Sequence, residues 1–435
     1  MLRTLRRHLA PACSLLALGL AACSSSPTDT APPPDSCSTV AAAAMLPNTW
    51  LADPHYCMFE YANMLPGVRG IAVAPNGDIF VVSGSQVWVL ADDNGDGVSD
   101  VAEHHVFASA TALNHGITIT ATHVYASSAT TVFRWPYAAG DRVATGPAET
   151  AIFDMPTSGH NRRPMAIDAQ GRLYVSAGSG NNVDIPPTPD TYSQFQAVIK
   201  RFDLATLPAG GYDFFYDGEM FAMGLRNESG LFIDSKGRIW GVENGRDNLT
   251  VDGDDIHYDN PAEEVNLFDA NRPGRAYGYP FCWSEGIWMD TARAKGAGTQ
   301  HLDPDQPGNF TEAKCQDTSA VVPPAFSLGA HLAPMDIVEY RGTAYPPEMS
   351  GEFFVTSHGS WNREVEQVGR LIIRLRMGPN GPTEAQKFLG MGDGTGALYE
   401  GVWGTRPVSI RIDKAGLLTF TDDGSGSVFK IGYKP

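Results

Sequence analysis

Signatures of several common chemistries are missing from this 435-residue chain. It has no Gly-x-Ser-x-Gly elbow, no phosphate-binding loop and no glycine fingerprint for a dinucleotide. Serine hydrolase, kinase and nicotinamide readings therefore lack support. No Cys-x-x-Cys-His occurs, so no c-type haem is attached, and no cysteine–histidine grouping has zinc-ligand spacing. Beyond the N-terminus there is no transmembrane, coiled-coil or helical-repeat pattern. Positive charge is scarce: 31 Lys and Arg stand against 49 Asp and Glu, a formal net charge of −18. That balance disfavours nucleic acid and anionic lipid surfaces as partners.

What the chain has in abundance is turn formers, with 46 Gly and 31 Pro. They punctuate one recurring unit: an apolar alternation, a turn at Asp, Asn or Lys followed by Gly, and an aromatic-rich strand. The copies are Gly70–Val82, Gly116–Ser127, Pro164–Ala177, Gly230–Val242, Pro334–Thr356 and Pro407–Thr421. Six strand–turn–strand copies predict an all-β fold, a six-bladed β-propeller. The segment Met58–Tyr61 reads as a strand that closes the ring against Gly426–Tyr433, because closure removes exposed sheet edges. The residues just ahead of the units converge on the axis in such a fold. Here they are His115, His160, Arg226 with Asn227, His331 and Arg406. Two stretches break the rhythm, Asn244–Glu263 and Cys282–Phe326, and are expected as long loops on the active-site face.

The first 22 residues read as an export signal. Arg3, Arg6 and Arg7 precede the apolar run Cys13–Leu20, which is too short for a permanent span. Leu20-Ala21-Ala22-Cys23 resembles a bacterial lipobox, with cleavage before Cys23 and lipid on its thiol. Ser24 resembles the outer-membrane sorting choice. The expectation is an outer-membrane lipoprotein of a Gram-negative envelope, facing the periplasm or cell surface, with residues 23–36 as a disordered Pro/Ser/Thr tether and 37–435 as the propeller. Removing the signal takes the formal charge to about −21 by loss of its three arginines. Cys37, Cys57, Cys282 and Cys315 remain, and an even count in an exported chain implies disulfides. Three pairings are possible; proximity favours Cys37–Cys57 and Cys282–Cys315.

Three groups of residues could carry chemistry. Asp92–Glu103 satisfies a calcium-loop pattern, with oxygen ligands from Asp92, Asn94, Asp96, Asp100 and Glu103, the backbone carbonyl of Val98, and Gly97 at the bend. Its flanks are strand-like, so it reads as a structural clip rather than a helix–loop–helix sensor. The second group is His160 with Arg163: an imidazole can take a hydroxyl proton, and a guanidinium can steady developing negative charge. The third runs from Arg226-Asn227 through Glu243-Asn244-Gly245-Arg246-Asp247 and Glu263-Glu264-Val265-Asn266 to Tyr277-Gly278-Tyr279. His104, His105, His123, His257 and His301 have no convergent partners in the sequence and read as surface residues.

With His358-Gly359-Ser360-Trp361-Asn362-Arg363 and Trp403-Gly404-Thr405-Arg406-Pro407, this order of motifs resembles the soluble quinoprotein glucose dehydrogenases, and more closely their sorbosone/pyranose dehydrogenase branch. The resemblance spans about residues 55–433. It implies pyrroloquinoline quinone (PQQ) over the propeller axis with a calcium ion beside it. It further implies that His160 is the general base and that Arg226 polarises the quinone. Asn114, Arg163, Asn227, Asn244, Trp403 and Arg406 then contact the cofactor, and the carbonyls of Gly245 and Arg246 hold calcium. A cofactor with three carboxylates suits arginines and a divalent cation. The activity implied is oxidation of a sugar, sugar aldehyde or related alcohol, with electrons leaving to a separate envelope acceptor. Arg246, the acidic insertion Thr250–Ala262 and the missing lysine near His358 depart from the glucose enzymes. A calcium-dependent lactonase-like hydrolase and a non-catalytic binding propeller are the alternatives. The first needs several axial carboxylates, and beyond Glu243 and Asp247 the sequence shows few.

Overall fold

The chain forms six blade sheets in sequence order, antiparallel except where Tyr212–Asp213 and Arg275–Ala276 add a parallel edge strand to the second and third. Blade 1 contains Ile71–Val73, Ile79–Ser83, Gln86–Leu90 and His104–Ser109; blade 2 contains Leu113–Ile119, His123–Ser128, Val132–Pro136 and Glu149–Phe153. Blade 3 contains Met165–Ile167, Arg172–Ala177, Val198–Asp203 and Glu219–Met223; blade 4 contains Glu228–Ile233, Ile239–Glu243, Glu263–Phe268 and Phe326–Leu328. Blade 5 contains Pro334–Glu339, Phe353–Ser357, Leu371–Gly378 and Gly381–Leu389. Blade 6 takes Pro407–Ile412, Leu418–Asp422 and Ser427–Tyr433 from the C-terminus and Tyr56–Ala62 from the N-terminus. Each of the six repeats supplies the first two strands of one blade. The ring closes as expected, with Met58 opposite Ile431 and Phe59 opposite Lys430.

The structure, a computed structural model, describes residues 32–40, 42–46, 51, 53–157, 159–188, 190–305, 308–363, 368–390 and 404–435. The signal segment, Cys23, most of the tether and Trp403 lie outside the described residues.

The repeat is a physical device. In blade 3, Asp168 Oδ1 accepts from the backbone N–H of Gln170 and Arg172, and Oδ2 takes Arg172 Nε at 2.6 Å and Tyr174 Oη at 3.0 Å. Blade 4 repeats this with Asp234, Arg238 and Trp240. One carboxylate thus caps the turn and ties it to the aromatic of the following strand. Between blades the aromatics interdigitate: Tyr174, Ile199 and Phe221 of blade 3 pack with Leu231, Ile239 and Phe268 of blade 4. At the axis the inner strands crowd. A Cβ on Gly70 would lie 1.9 Å from His115 O, and one on Gly116 2.0 Å from Arg163 O, so only glycine fits there.

Both disulfides form as proximity favoured, Cys37–Cys57 and Cys282–Cys315. The interrupting stretches are more structured than plain loops. The first holds the hairpin Thr250–Val251 with Asp254–Asp255. The second holds the hairpin Cys282–Ser284 with Gln300–Leu302 and the helix Glu312–Gln316. His301 is buried there, contrary to a surface reading. Its Nε2 meets Glu285 at 2.8 Å, its Nδ1 meets Glu312 at 2.9 Å, and its ring stacks on Trp283.

Candidate active site

The heads of the blades converge on a cavity of about 230 Å³. His160 enters it from the turn before blade 3, Arg226 and Asn227 from the head of blade 4, His331 from the loop before blade 5, and Arg406 from the head of blade 6. The 244–263 insertion adds Asn244, Gly245 and Glu263 to the wall, and Trp361, 73 % exposed, stands at the mouth. Arg406 also faces an adjoining chamber of about 370 Å³, whose wall includes Arg69, Asn114, Arg162 and Asp423. Asn114 therefore sits in the second chamber. His115 is at the axis but lies deeper and is 3 % exposed.

His160 is held in one tautomer. Ser179 Oγ donates its only proton to Asn181 O at 2.8 Å, so it accepts from His160 Nδ1–H at 2.9 Å. Nε2 is then the unprotonated nitrogen. Burial, and next the charge of Arg226, push the imidazole down to about 4. At neutral pH the cavity wall thus presents a neutral base, as general base chemistry requires.

Arg226 is a clamp. Its Nε donates to Asn182 O, Nη1 to the carbonyls of Asn244 and Gly245, and Nη2 to Asn182 Oδ1 and Asp247 Oδ2, the last two at 2.9 Å. All five N–H groups are directed at protein acceptors. Arg226 therefore brings positive charge to the cavity rather than free hydrogen-bond donors. Its neighbours form a relay: Asn227 Nδ2 donates to Asn244 Oδ1, and Asn244 Nδ2 to Pro334 O, both at 2.8 Å. Arg163 corrects a sequence expectation. It is fully buried in the wall and donates to the carbonyls of Ala129, Pro156, His160 and Arg162. It fixes the backbone that carries His160 and does not line the cavity. Arg246 does border the cavity, with its side chain paired to Asp303 and Asp305.

Several participants were not legible as a set. Arg406 Nη2 donates to His358 Nδ1 at 2.9 Å, and His358 Nε2–H donates to Asp423 at 2.9 Å. Asp423 also pairs with Arg69. This chain crosses the boundary between the two chambers. On the opposite side of Arg226 lies a pocket of acids. Glu228, Glu243 and Glu264 surround Asn266, whose Nδ2 reaches Glu228 Oε2 and Glu243 Oε2. Glu263 accepts from the N–H of Gly245 and Ala333. Burial raises all four carboxyls, Glu263 and Glu264 to about 7. The signal available was Glu243 and the Glu263-Glu264-Val265-Asn266 run; Glu228 pairs across from Glu243 in the sheet.

The acidic loop folds as a closed turn. Asp92 caps the N–H of Gly95, Asp96 and Gly97, and Glu103 caps those of Asp93, Asn94 and Asp100. Asn94 Oδ1 accepts from Asp96 N, and Asp96 Oδ1 from Val98 N. Among the described residues, no group of three or more His, Cys, Asp or Glu side chains is gathered tightly enough for a metal ion.

With this geometry in place, relatives can be named. A Hypocrea jecorina protein (strain QM6a) named PQQ-dependent sugar dehydrogenase is 29% identical over 398 residues, 86% of this chain and 87% of its own length. A Coprinopsis cinerea PQQ-dependent pyranose dehydrogenase is 30% identical over 332 residues, 72% of this chain but only 44% of its own length. The calcium structure of the Trichoderma reesei family AA12 enzyme superposes with a TM-score of 0.76 at 26% identity, covering 91% of this chain and 98% of that one. The holo PQQ domain of the Coprinopsis cinerea enzyme gives 0.76 at 27%, covering 87% and 96%. A model of the TrAA12-like family matches residues 51–434, and the chain belongs to that family.

Proposed function

We propose that the axial cavity binds PQQ and that the chain oxidises a sugar, sugar aldehyde or related alcohol. The observation that carries this reading is the neutral, tautomer-fixed His160 facing a cavity bordered by arginines. The donor set suits a flat polyanion. Arg69 Nε and Arg406 Nε are buried donors without a protein partner among the described residues. Such atoms cost free energy unless a ligand satisfies them. Arg406, Asn227 and Asn244 would hold the cofactor from the first chamber, and Asn114, Arg69 and Arg162 from the second.

When bound, the quinone supplies a two-electron acceptor. The protein's share is positioning and proton handling. His160 Nε2 accepts the proton of the substrate hydroxyl, while Nδ1–H stays on Ser179. Arg226 keeps positive potential beside the cavity and Arg163 keeps the His160 backbone in place. Calcium, the ion for which the Trichoderma reesei structure is named, would use the carbonyls of Gly245 and Arg246 here. Gly245 O already accepts from Arg226, which leaves it one lone pair. The loop Asp92–Glu103 is proposed as a second, structural calcium site. Electrons would pass to a separate envelope carrier, and Cys23 would carry the lipid anchor of an outer-membrane lipoprotein.

The test is a titration of the signal-less protein with PQQ in calcium, followed by dye reduction over aldoses, sugar aldehydes and polyols. Stoichiometric binding with dye reduction is expected. Absence of PQQ binding would move the assignment to a hydrolase or a binding propeller.

A further inference from the structure

A separate cavity of about 250 Å³ lies on the other side of the Ser179–Asp184 segment from His160. Its wall includes Asn181, Pro187, Tyr192, Ser193, Gly224 and Tyr279. The partition is thin. Asn181 faces this cavity, while Asn182, the next residue, grips Arg226 on the axial side.

The chemistry of the wall is specific. Tyr192 packs its ring edge-on against Phe281 at 5.2 Å, yet its hydroxyl is buried without a partner among the described residues. Gly224 has φ +72°, and a Cβ there would lie 2.8 Å from the Tyr192 ring, so glycine keeps the two in contact. Ser193 Oγ accepts from the N–H of Phe195 and Gln196 and keeps its own proton to give. Asp184 is the one charged residue on the wall, and three neutral N–H donors leave it one acceptor position for a ligand hydroxyl. One oxygen takes Gly180 N–H and the other takes Asn181 N–H and Nδ2. Pro186, Pro187 and Pro280 complete it with C–H surface.

We propose that this cavity is a saccharide subsite that takes one neutral sugar ring. Hydroxyl donors and acceptors set among aromatic and proline faces match a polyhydroxylated ring with apolar C–H sides. The wall offers no cation to an anionic ligand. The volume lies just below the usual range for drug-sized sites of roughly 300–1,000 Å³, which fits a single ring. The choice of ligand rests on the sugar-oxidising function proposed above, whereas binding is read without PQQ.

The experiment is calorimetric titration of PQQ-free protein with methyl α- and methyl β-glucoside, for wild type and Tyr192→Phe. The variant deletes only the unpartnered hydroxyl, so its melting temperature should be unchanged or raised. Affinity for the glucoside should fall about tenfold, the worth of roughly one hydrogen bond at 1.4 kcal/mol. Ser193→Ala should weaken binding in the same direction. Unchanged affinity in Tyr192→Phe, or no glucoside binding by wild type, overturns the subsite. Dye reduction by the PQQ-loaded wild type reads the dehydrogenase function separately.

Discussion

Two regions meet at Arg226, and they treat charge in opposite ways. Toward blades 1, 3 and 6 the wall carries Arg69, Arg162 and Arg406, and His160 is driven down to about 4. Toward blade 4 lie Glu228, Glu243, Glu263 and Glu264, all driven up. The primary cause is the same in both. Burial penalises whichever form is charged, so the base gives up its proton more readily and the acids hold theirs to higher pH, Glu263 and Glu264 up to about 7. The difference lies in which ions survive. The arginines remain charged because their pKa starts so high; even Arg69, lowered mainly by burial, stays near 10. The outcome is a cavity rich in arginine that borders a cluster of acids whose charge burial suppresses, Glu263 touching both, although the chain as a whole carries −18.

The sharpest way to break this comparison is His160→Ala. Turnover should fall by about 10²–10⁴-fold, the usual worth of a general base, with PQQ binding retained. Steady-state dye reduction beside a PQQ titration separates the two readouts, and unchanged turnover removes His160 from the mechanism. In the wild type the same base sets an acid limit, and activity should persist down to about pH 4 and disappear below it. Stability moves with it. The native imidazole refuses a proton that the unfolded chain accepts near 6.5, so this group's contribution declines as pH falls from about 6.5 to about 4.

Arg226→Met tests the boundary itself. The side chain is 5% exposed, paired with Asp247, and donates to five acceptors. Removing one partner of a buried pair costs about 3–5 kcal/mol. Denaturant unfolding should show that loss, and the Asn182 and Gly245 segments should exchange their amides faster. A variant as stable as wild type would mean the two regions do not depend on this clamp.

Glu228→Gln sharpens the acid side. A carboxyl raised in the native state holds its proton while the unfolded chain releases one above about 4.5, so stability declines as pH rises through that window. The amide cannot ionise. Melting temperatures between pH 5 and 9 should therefore fall less steeply in the variant, with a change below about 1 kcal/mol near pH 5. An identical slope would show that Glu228 does not share in the neutralisation.

The fold was readable because a propeller repeats a local device. A short strand–turn–strand unit announces each blade, sharpened to an Asp–x–x–Gly turn in blades 3, 4 and 6, and the ring closure follows from two strand-like ends. His160, Asn227, Asn244 and Arg406 were readable because each heads or follows a repeat. Arg163 was misread because sequence gives no depth. Its acceptors are carbonyls of residues 129, 156, 160 and 162, whose meeting depends on how blades 2 and 3 abut. The acid pocket and the Arg69–Asp423–His358–Arg406 chain escaped for the same reason. Asp423 and Arg69 are separated by 354 residues and meet only because the ring closes. His301 looked solitary because Glu285 and Glu312 approach it only once the hairpin and the short helix fold around the Cys282–Cys315 bridge.

The smallest expected effect lies outside both regions, and so it serves as their control. Asp96 belongs to the closed turn between the third and fourth strands of blade 1, where it accepts from Val98 N–H at 3.1 Å and lines neither chamber. If calcium occupies this loop, Asp96→Ala should lower the melting temperature in calcium and abolish the drop that EDTA causes in wild type, while PQQ affinity stays unchanged. The physical reason is locality: a cation here would bind several oxygens of one loop and stabilise by mass action only what that loop ties together. Should Asp96→Ala instead weaken PQQ binding while leaving melting untouched, blade 1 would be coupled to the axis. The two-region picture would then need Arg69, which precedes that blade, as the link.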